Sequence, residues 1–472
     1  MLLLNALIPL LLRESDLFSF LAAALVTACA ATFFNALGRK GNNREGISRR
    51  DGYVVVTLGW TLFSIFGCLP FFLSGFVPEF TNAFFETISG FTTTGASIIS
   101  DIESLPHGLL FWRSLTQWIG GLGIVFFTVA VLPVFGMGDV QLFAAEAIGP
   151  SHGKIHPRIS VSGRWILTVY VILTVACSFS LKACGMSLFE SVNHAMCTIA
   201  TGGYSTRNAS IGAFDSYLIE NVITLFTFLS GINFSLLFFL LFKAKIGKMF
   251  RDTEFRCYFG VTLSVVVIIG LIVHASTDNT LHSAMHLSLF QVVSLITTTG
   301  FVTDNVYNWP GAVYMLLSVI MCMGACAGST TGGMKGARTV ILFKALRNEF
   351  NRILHPNAVL PIRINNKVIP DTTRQTVFTF TIFYIGLIAF SWIAYMIMGL
   401  DMSDAFYAST AIVSNTGTAV GSFDAANSFD TTLSWDILPT IAKWYTCLLM
   451  LVSRLEIFAV LLLFTPSFWR HR

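Results

Sequence analysis

Charge is scarce in this chain. Asp, Glu, Lys and Arg make up 11% of its 472 residues, against roughly 25% in a soluble domain. That shortage excludes an ordinary soluble enzyme or binding module. The nine cysteines show no paired spacing suited to a zinc site or a disulfide framework. Cys322 and Cys326, four apart, would share a helix face as two small apolar residues. Residues 1–12 are apolar but lack the basic start and cleavage pattern of a secretory signal. The glycine-rich run that ends at Lys335 lacks the Gly-Lys-Ser/Thr close of a P-loop, and no strand precedes it. His282 and His286 stand at a spacing able to bind zinc, without the Glu of a His-Glu-x-x-His pattern. No convergent set of acids, histidines or nucleophiles supports a membrane enzyme.

Apolar residues, by contrast, reach 54%, with mean hydropathy +0.72. Such a chain is an integral membrane protein with many spans. Residues 1–12 fall short of the about 20 residues a span needs. They form a partial helix, or the natural chain begins further upstream. A first clear span covers 17–37, and a basic linker follows. Then a long–short–long pattern recurs. It runs over 52–76, 82–91 and 108–134, then 165–184, 187–200 and 217–243. The third set is 257–275, 280–296 and 311–347, and the fourth 375–400, 403–413 and 434–464. The short elements cannot cross and should be re-entrant, which backbone at membrane depth tolerates only inside protein or along a wet cavity. The expected organisation is a leader and linker (1–51) followed by four pore repeats (52–150, 151–256, 257–369 and 370–472).

After each short element comes a turn built on the same pattern. The clearest reads Ile88-Ser89-Gly90-Phe91-Thr92-Thr93-Thr94-Gly95, and its relatives end Ile199-Ala200-Thr201-Gly202, Ile296-Thr297-Thr298-Thr299-Gly300 and Val413-Ser414-Asn415-Thr416-Gly417. Thr-Gly alone means nothing. Four copies in one context, at intervals of roughly 100 residues, define an internal repeat. Thirteen residues before Gly95, Gly300 and Gly417 the registers agree; the second copy, counted from Gly202, fits least well. Asn82, Ser187 and Ser403 are the expected N-caps of three short helices.

Lys and Arg are concentrated in 39–51, 136–164, 243–256, 335–374 and 470–472, all on one side of this topology. The positive-inside rule makes that side cytoplasmic. Most acids fall on the other, so the turns open outward under a negative field that gathers cations. A glycine in an unusual backbone conformation lets a turn aim carbonyls at one axis, and four turns around an axis replace a cation's water, as in potassium filters. Each short helix would direct its partly negative C-terminus at the cavity. The alternative is that the turns are plain helix breaks. Arg113 and Lys443 are read as snorkelling near outer helix ends, and Trp112, Trp309 and Trp444 as interfacial anchors.

With these motifs in hand, the chain resembles the membrane subunit of a bacterial Trk-type potassium uptake system, in the Trk/Ktr/HKT superfamily. Four more stretches carry the resemblance: Trp112-Arg113-Ser114-Leu115-Thr116-Gln117-Trp118-Ile119-Gly120-Gly121, Phe228-Leu229-Ser230-Gly231-Ile232-Asn233-Phe234, Gly324-Ala325-Cys326-Ala327-Gly328-Ser329-Thr330-Thr331-Gly332-Gly333-Met334-Lys335, and Ser453-Arg454-Leu455-Glu456-Ile457-Phe458. It implies an all-α polytopic membrane protein of four pseudosymmetric repeats around one ion pore. It implies a potassium filter at Thr93, Thr94, Gly95, Ala200, Thr201, Gly202, Thr298, Thr299, Gly300, Asn415, Thr416 and Gly417. Glycine rather than serine at position 95 implies potassium over sodium. The run 324–337 interrupts a helix at glycines that each cost about 1 kcal/mol relative to alanine. The resemblance makes it a gate, with Gly324, Gly328, Ser329, Thr330, Gly332, Gly333 and Lys335 as its working residues; a break without a gating role is the alternative. Arg454, by resemblance, is a barrier in the pore beneath the filter; the other reading is a structural salt bridge, although Glu456, two residues on, does not face it along a helix. The resemblance also implies a homodimer, a cytoplasmic nucleotide-binding ring of the TrkA kind as regulator, and no organic cofactor or nucleic acid bound by this chain. Coupling to protons or sodium, or a relative permeable to sodium or ammonium, keeps the architecture and remains open.

Overall fold

A computed structural model describes residues 1–38, 49–126, 159–244, 246–304, 306, 309–358, 360–365, 367–418 and 435–470. Most of it is helical; a two-residue antiparallel pair, Arg363–Ile364 with Lys367–Val368, is the only sheet among them. The leader forms two short helices, Leu2–Asn5 and Leu7–Leu12, and then the long helix Leu17–Gly38.

The long–short–long order follows four times. The first set is Arg49–Gly67 with Leu69–Ser74, then Phe80–Phe91, then His107–Phe126. The second is Ile159–Ala183, Leu188–Ile199, and Tyr217–Ser230 with Phe234–Lys243. The third is Thr253–Ser276, Leu281–Ile296, and Gly311–Met323 with Gly336–Leu354. The fourth is Asp371–Ile397, Met402–Val413, and Thr440–Arg454 with Phe458–Leu461. Among the described residues, five helices are long and apolar enough to cross a bilayer. Their outward faces remain apolar: on Asp371–Ile397, Ile382 is 71% and Ile397 82% exposed. Water would not tolerate that many large apolar side chains on one surface, and lipid does.

The second long element of the second and fourth repeats is sharply bent rather than one straight helix. Tyr217–Ser230 and Phe234–Lys243 meet at 107°, and the fourth-repeat pair at 113°. The sequence reading made 217–243 and 434–464 continuous. The cause is local. Gly231 precedes Asn233, whose side chain caps a new helix by accepting from Ser235 N at 2.8 Å. In the fourth repeat Glu456 and Ile457 both adopt positive φ.

The short helices are buried at their C-terminal halves, where an apolar core joins the first and fourth repeats (Phe85, Ile88, Tyr395, Ala408, Met450) and another joins the second and third (Tyr170, Ile199, Phe290, Ile296). Ser187 caps its helix as expected, in a reciprocal box with Glu190. Thr280 caps the third. Asn82 and Ser403 do not cap: the helices start at Phe80 and Met402, so both lie in the first turn.

Candidate functional site

All four short helices end in the same backbone figure. The third residue after each helix donates its N–H to a carbonyl five residues back: Thr94 to Ser89, Gly202 to Cys197, Thr299 to Ser294 and Thr416 to Ala411. The residue before it is left-handed in every case, Thr93 at φ 53°, Thr201 at 51°, Thr298 at 54° and Asn415 at 57°. The residue after it is a left-handed glycine: Gly95 at φ 82°, Gly203 at 79°, Gly300 at 83° and Gly417 at 70°. The second member is therefore Gly203. Gly202, the glycine chosen from the sequence, occupies the place of Thr94, Thr299 and Thr416. Counting back thirteen from Gly203 also lines Glu190 up with Asn82 and Asp404, the signal that the poor fit of the second copy contained.

These turns close into a ring. A Cβ on Gly95 would overlap the carbonyl oxygen of Gly202, one on Gly203 that of Thr299, one on Gly300 that of Thr416, and one on Gly417 that of Thr94. Each glycine thus lies against the equivalent carbonyl of the next turn, and the cycle returns to its start. No side chain fits there in a left-handed conformation or any other. A cavity of about 40 Å³ touches all four glycines, together with Arg113, Ser97 and Tyr204, enough for more than one water-sized body.

Arg113 is not at an interface. It is 1% exposed, and its Nε lies 2.8 Å from Glu86 Oε1. Nη1 donates to Ser205 O at 3.0 Å and Nη2 to Ser97 Oγ at 3.1 Å, while the guanidinium sits 4.2 Å over the Tyr204 ring. Tyr204 in turn donates its hydroxyl to Glu86 O at 2.7 Å. This buried group ties the first and second turns together behind the ring. Lys443 is buried too, 2.9 Å from Asp436 and 3.1 Å from Asn82 Oδ1. Trp112 and Trp309 are buried, donating to Gly67 O and Asp304 Oδ2; Trp444 is 42% exposed, as an anchor would be. His286 lies 3.3 Å from Glu220, and no group of three metal-binding side chains occurs among the described residues.

Below the ring, the helix Gly311–Met323 stops and does not resume until Gly336. Cys322 ends up in the helix and Cys326 in the intervening run, so the two share no helix face. Gly324, Gly328, Gly333 and Lys335 all have positive φ. The run lies directly under three turns. Thr330 Oγ1 donates to Ile199 O at 3.1 Å and accepts from Thr201 at 3.2 Å. Gly332 N donates to Thr298 Oγ1 at 2.7 Å, and Gly333 N to Ser414 O at 2.9 Å. The two helix breaks hold its ends. On one side Asn233 Nδ2 donates to Ala327 O at 2.7 Å and Cys326 N to Gly231 O at 3.0 Å, with Glu254 accepting from Ala327 N at 2.6 Å. On the other, Glu456 lies 3.0 Å from Lys335 Nζ and 2.7 Å from Arg338 Nη2.

Arg454 is 4% exposed and donates from Nη1 to Thr330 O at 3.0 Å. Its Nε and Nη2 have no hydrogen-bond partner among the described residues. A salt bridge to Glu456 is not what holds it. The space beside it, lined by Gly332, Asn415 and Ser453, measures about 10 Å³, at or below the room one water requires.

Four short helices whose turns close into a ring, amid helices long enough to span, define a polytopic membrane protein. The sequence matches the family model of TrkH, described as a cation transport protein, over residues 19–471. It is 40% identical to the Trk system potassium uptake protein TrkH of Salmonella typhimurium over 456 residues, 94% of this chain and 92% of that one. Against TrkG of Escherichia coli K12 the identity is 33% over 465 residues, 98% and 94% of the two chains. The crystal structure of the potassium transporter TrkH from Vibrio parahaemolyticus matches with a TM-score of 0.87 at 33% identity, covering 99% of this chain and 96% of that one. The chain belongs to the TrkH family, a family of transport proteins and not of enzymes.

Proposed function

We propose that this chain carries potassium inward across a bacterial cytoplasmic membrane through the ring of four turns, with the ring as its selectivity filter. The observation that carries this reading is the cyclic closure, in which each glycine meets the carbonyl of the next turn. Such a ring presents backbone oxygens at one level to a dehydrated cation. The names of the relatives, potassium uptake proteins and a potassium transporter, favour potassium as the ion. In this reading the filter residues are Thr93, Thr94, Gly95, Thr201, Gly202, Gly203, Thr298, Thr299, Gly300, Asn415, Thr416 and Gly417. The ring faces outward, because the basic segments lie on the opposite side of the topology. The membrane potential then supplies about 2.3 kcal/mol per charge per 100 mV, sufficient for accumulation without a chemical step.

The run 324–335 is the gate in this proposal. Its docking under three turns and the small space beside Arg454 support a closed conduit. The cation of Arg454, bonded to the run through Thr330, repels potassium while the gate is shut. A soluble cytoplasmic partner that binds nucleotide, acting on a homodimer of this chain, would control release; the basic segments 335–374 suit its docking.

Rubidium uptake into liposomes holding the purified protein, under an imposed potential, tests this. Uptake blocked by potassium and not by sodium is expected. Equal block by both ions would overturn the selectivity reading, and uptake that tracks a proton or sodium gradient would replace the channel with a symporter.

A further inference from the structure

Three of the four turns share a device that the second lacks. Thr92 and Thr94, Thr297 and Thr299, and Ser414 and Thr416 bring their hydroxyls to 2.8 Å of each other. The first hydroxyl of each pair donates back into its short helix, to Ile88 O, Val293 O or Thr410 O, at 2.7 Å. The second therefore donates to the first. These pairs fasten the residue before each ring glycine to the end of its helix. In the second turn the equivalent residues are Ala200 and Gly202, and neither has a hydroxyl.

Gln117 stands there instead. It comes from His107–Phe126, in the first repeat, and is 0% exposed. Its Nε2 donates to Gly202 O at 2.6 Å, and its Oε1 accepts from Tyr204 N at 3.1 Å. One side-chain amide thus clasps the residues on both sides of Gly203. A Cβ at position 202 would collide with that amide, which accounts for Gly-Gly in this turn where the others have Thr-Gly. Two glycines in succession leave the backbone with little stiffness of its own. The Gly202 carbonyl is also the one that meets Gly95 across the ring.

We propose that Gln117 is a positioning residue for ion selectivity: its amide substitutes for the missing hydroxyl pair and holds the Gly202 carbonyl and Gly203 in the ring. The inference rests on the reading of the ring as a filter. Its test is rubidium uptake by the reconstituted full chain, competed with potassium and with sodium, beside thermal stabilisation of the purified protein by the two ions. Gln117→Leu keeps the bulk and removes both hydrogen bonds. The expected result is a fall of at least tenfold in potassium-over-sodium preference in protein that still inserts and is monodisperse. The swap Gln117→Ala with Ala200→Ser and Gly202→Thr gives the second turn the pair the others have, and should restore preference to within threefold of the parent. A folded Gln117→Leu protein with preference within twofold of the parent overturns the inference, as does a folded but unselective swap. Should Gln117→Leu fail to assemble, the swap decides; failure of both counts against the inference, because a pair that serves three turns should serve the fourth. Gly95→Ala in the same assay separates the two levels. Preference lost there but kept in Gln117→Leu refutes the role of Gln117 alone, whereas preference kept in Gly95→Ala removes the filter beneath both.

Discussion

Glu456→Gln should open the pore without touching the ring. The carboxylate sits in the break of the last long helix, with Lys335 Nζ at 3.0 Å and Arg338 Nη2 at 2.7 Å. Lys335 is the last residue of the run between the two helices, and Arg338 lies in the first turn of the helix that follows. Their side chains are 8% and 3% exposed. Removing one member of a buried ion pair costs about 3–5 kcal/mol. Glutamine keeps one hydrogen bond, worth about 1 kcal/mol, so the docked arrangement should lose about 2–4 kcal/mol relative to an undocked one in which Lys335 reaches water. That shifts the undocked fraction by roughly 30- to 900-fold. The measurement is resting rubidium influx in proteoliposomes, without any cytoplasmic partner. A rise of about one and a half to three decades is expected, with potassium preference intact. Influx within twofold of the parent, in protein of unchanged thermal midpoint, would refute the argument that this clamp holds the run in place. Combining Glu456→Gln with Lys335→Met should lower influx part of the way back, since one of the two uncompensated charges is then gone.

Gly203→Ala places a methyl against Thr299 O in a left-handed turn; potassium preference should fall at least tenfold in the same competition assay, as for Gly95→Ala. Thr298→Val removes the acceptor for Gly332 N and should raise resting influx, whereas Thr93→Val, at the equivalent position, should not; equal effects would mean that the described bond does not hold the run. Ser187→Ala breaks the reciprocal cap with Glu190 and should cost about 1 kcal/mol, read as a fall of about 1–2 °C in the midpoint of a protein this size. Arg113→Met strands Glu86 in the interior and should cost about 3–5 kcal/mol, while adding Glu86→Gln recovers part of it by removing the stranded charge; yields and midpoints of the three proteins check the order.

The long–short–long order was legible because hydropathy and length are properties of single segments. So was the repeat of the turns, because a short motif recurs in one context. The registers failed where pattern matching had two glycines to choose from. Thr201-Gly202 looks like Thr94-Gly95, but the hydrogen bond from Gly202 N to Cys197 O sets the count from the helix end, and that count selects Gly203. Arg113 was misread for a different reason. Its partner Glu86 is 27 positions away, and nothing in either local sequence announces the other, so position near a helix end suggested snorkelling. The breaks at 231–233 and 455–457 lie within stretches that carry the family resemblance, yet each reads in the sequence as part of one long apolar segment. Hydropathy cannot see a break whose flanks are both apolar, although Asn233 after Gly231 was a readable cap.

The ring and the run beneath it follow different symmetries. The ring repeats one contact four times. The run instead makes unlike contacts: Thr330 with the second turn, Gly332 with the third, Gly333 with the fourth. The first turn is tied elsewhere, through Asn415 Nδ2 to Thr94 Oγ1 at 2.9 Å. A single chain can do this because its repeats are free to diverge, whereas four identical subunits would have to carry four identical runs. The consequence is mechanical. The run's far end continues without a spacer into Gly336–Leu354, 19 residues long and so about 28 Å at 1.5 Å per residue. Its near end is held by the break at Gly231 and its far end by the break at Glu456, so neither anchor belongs to the ring. Under the proposed gate, a displacement of that helix strains the Glu456 clamp first and the bonds to Thr298 and Ser414 next, leaving the four glycines and their carbonyls where they are. Gating and selectivity should therefore separate in mutants, as the comparison of Glu456→Gln with Gly203→Ala is designed to reveal.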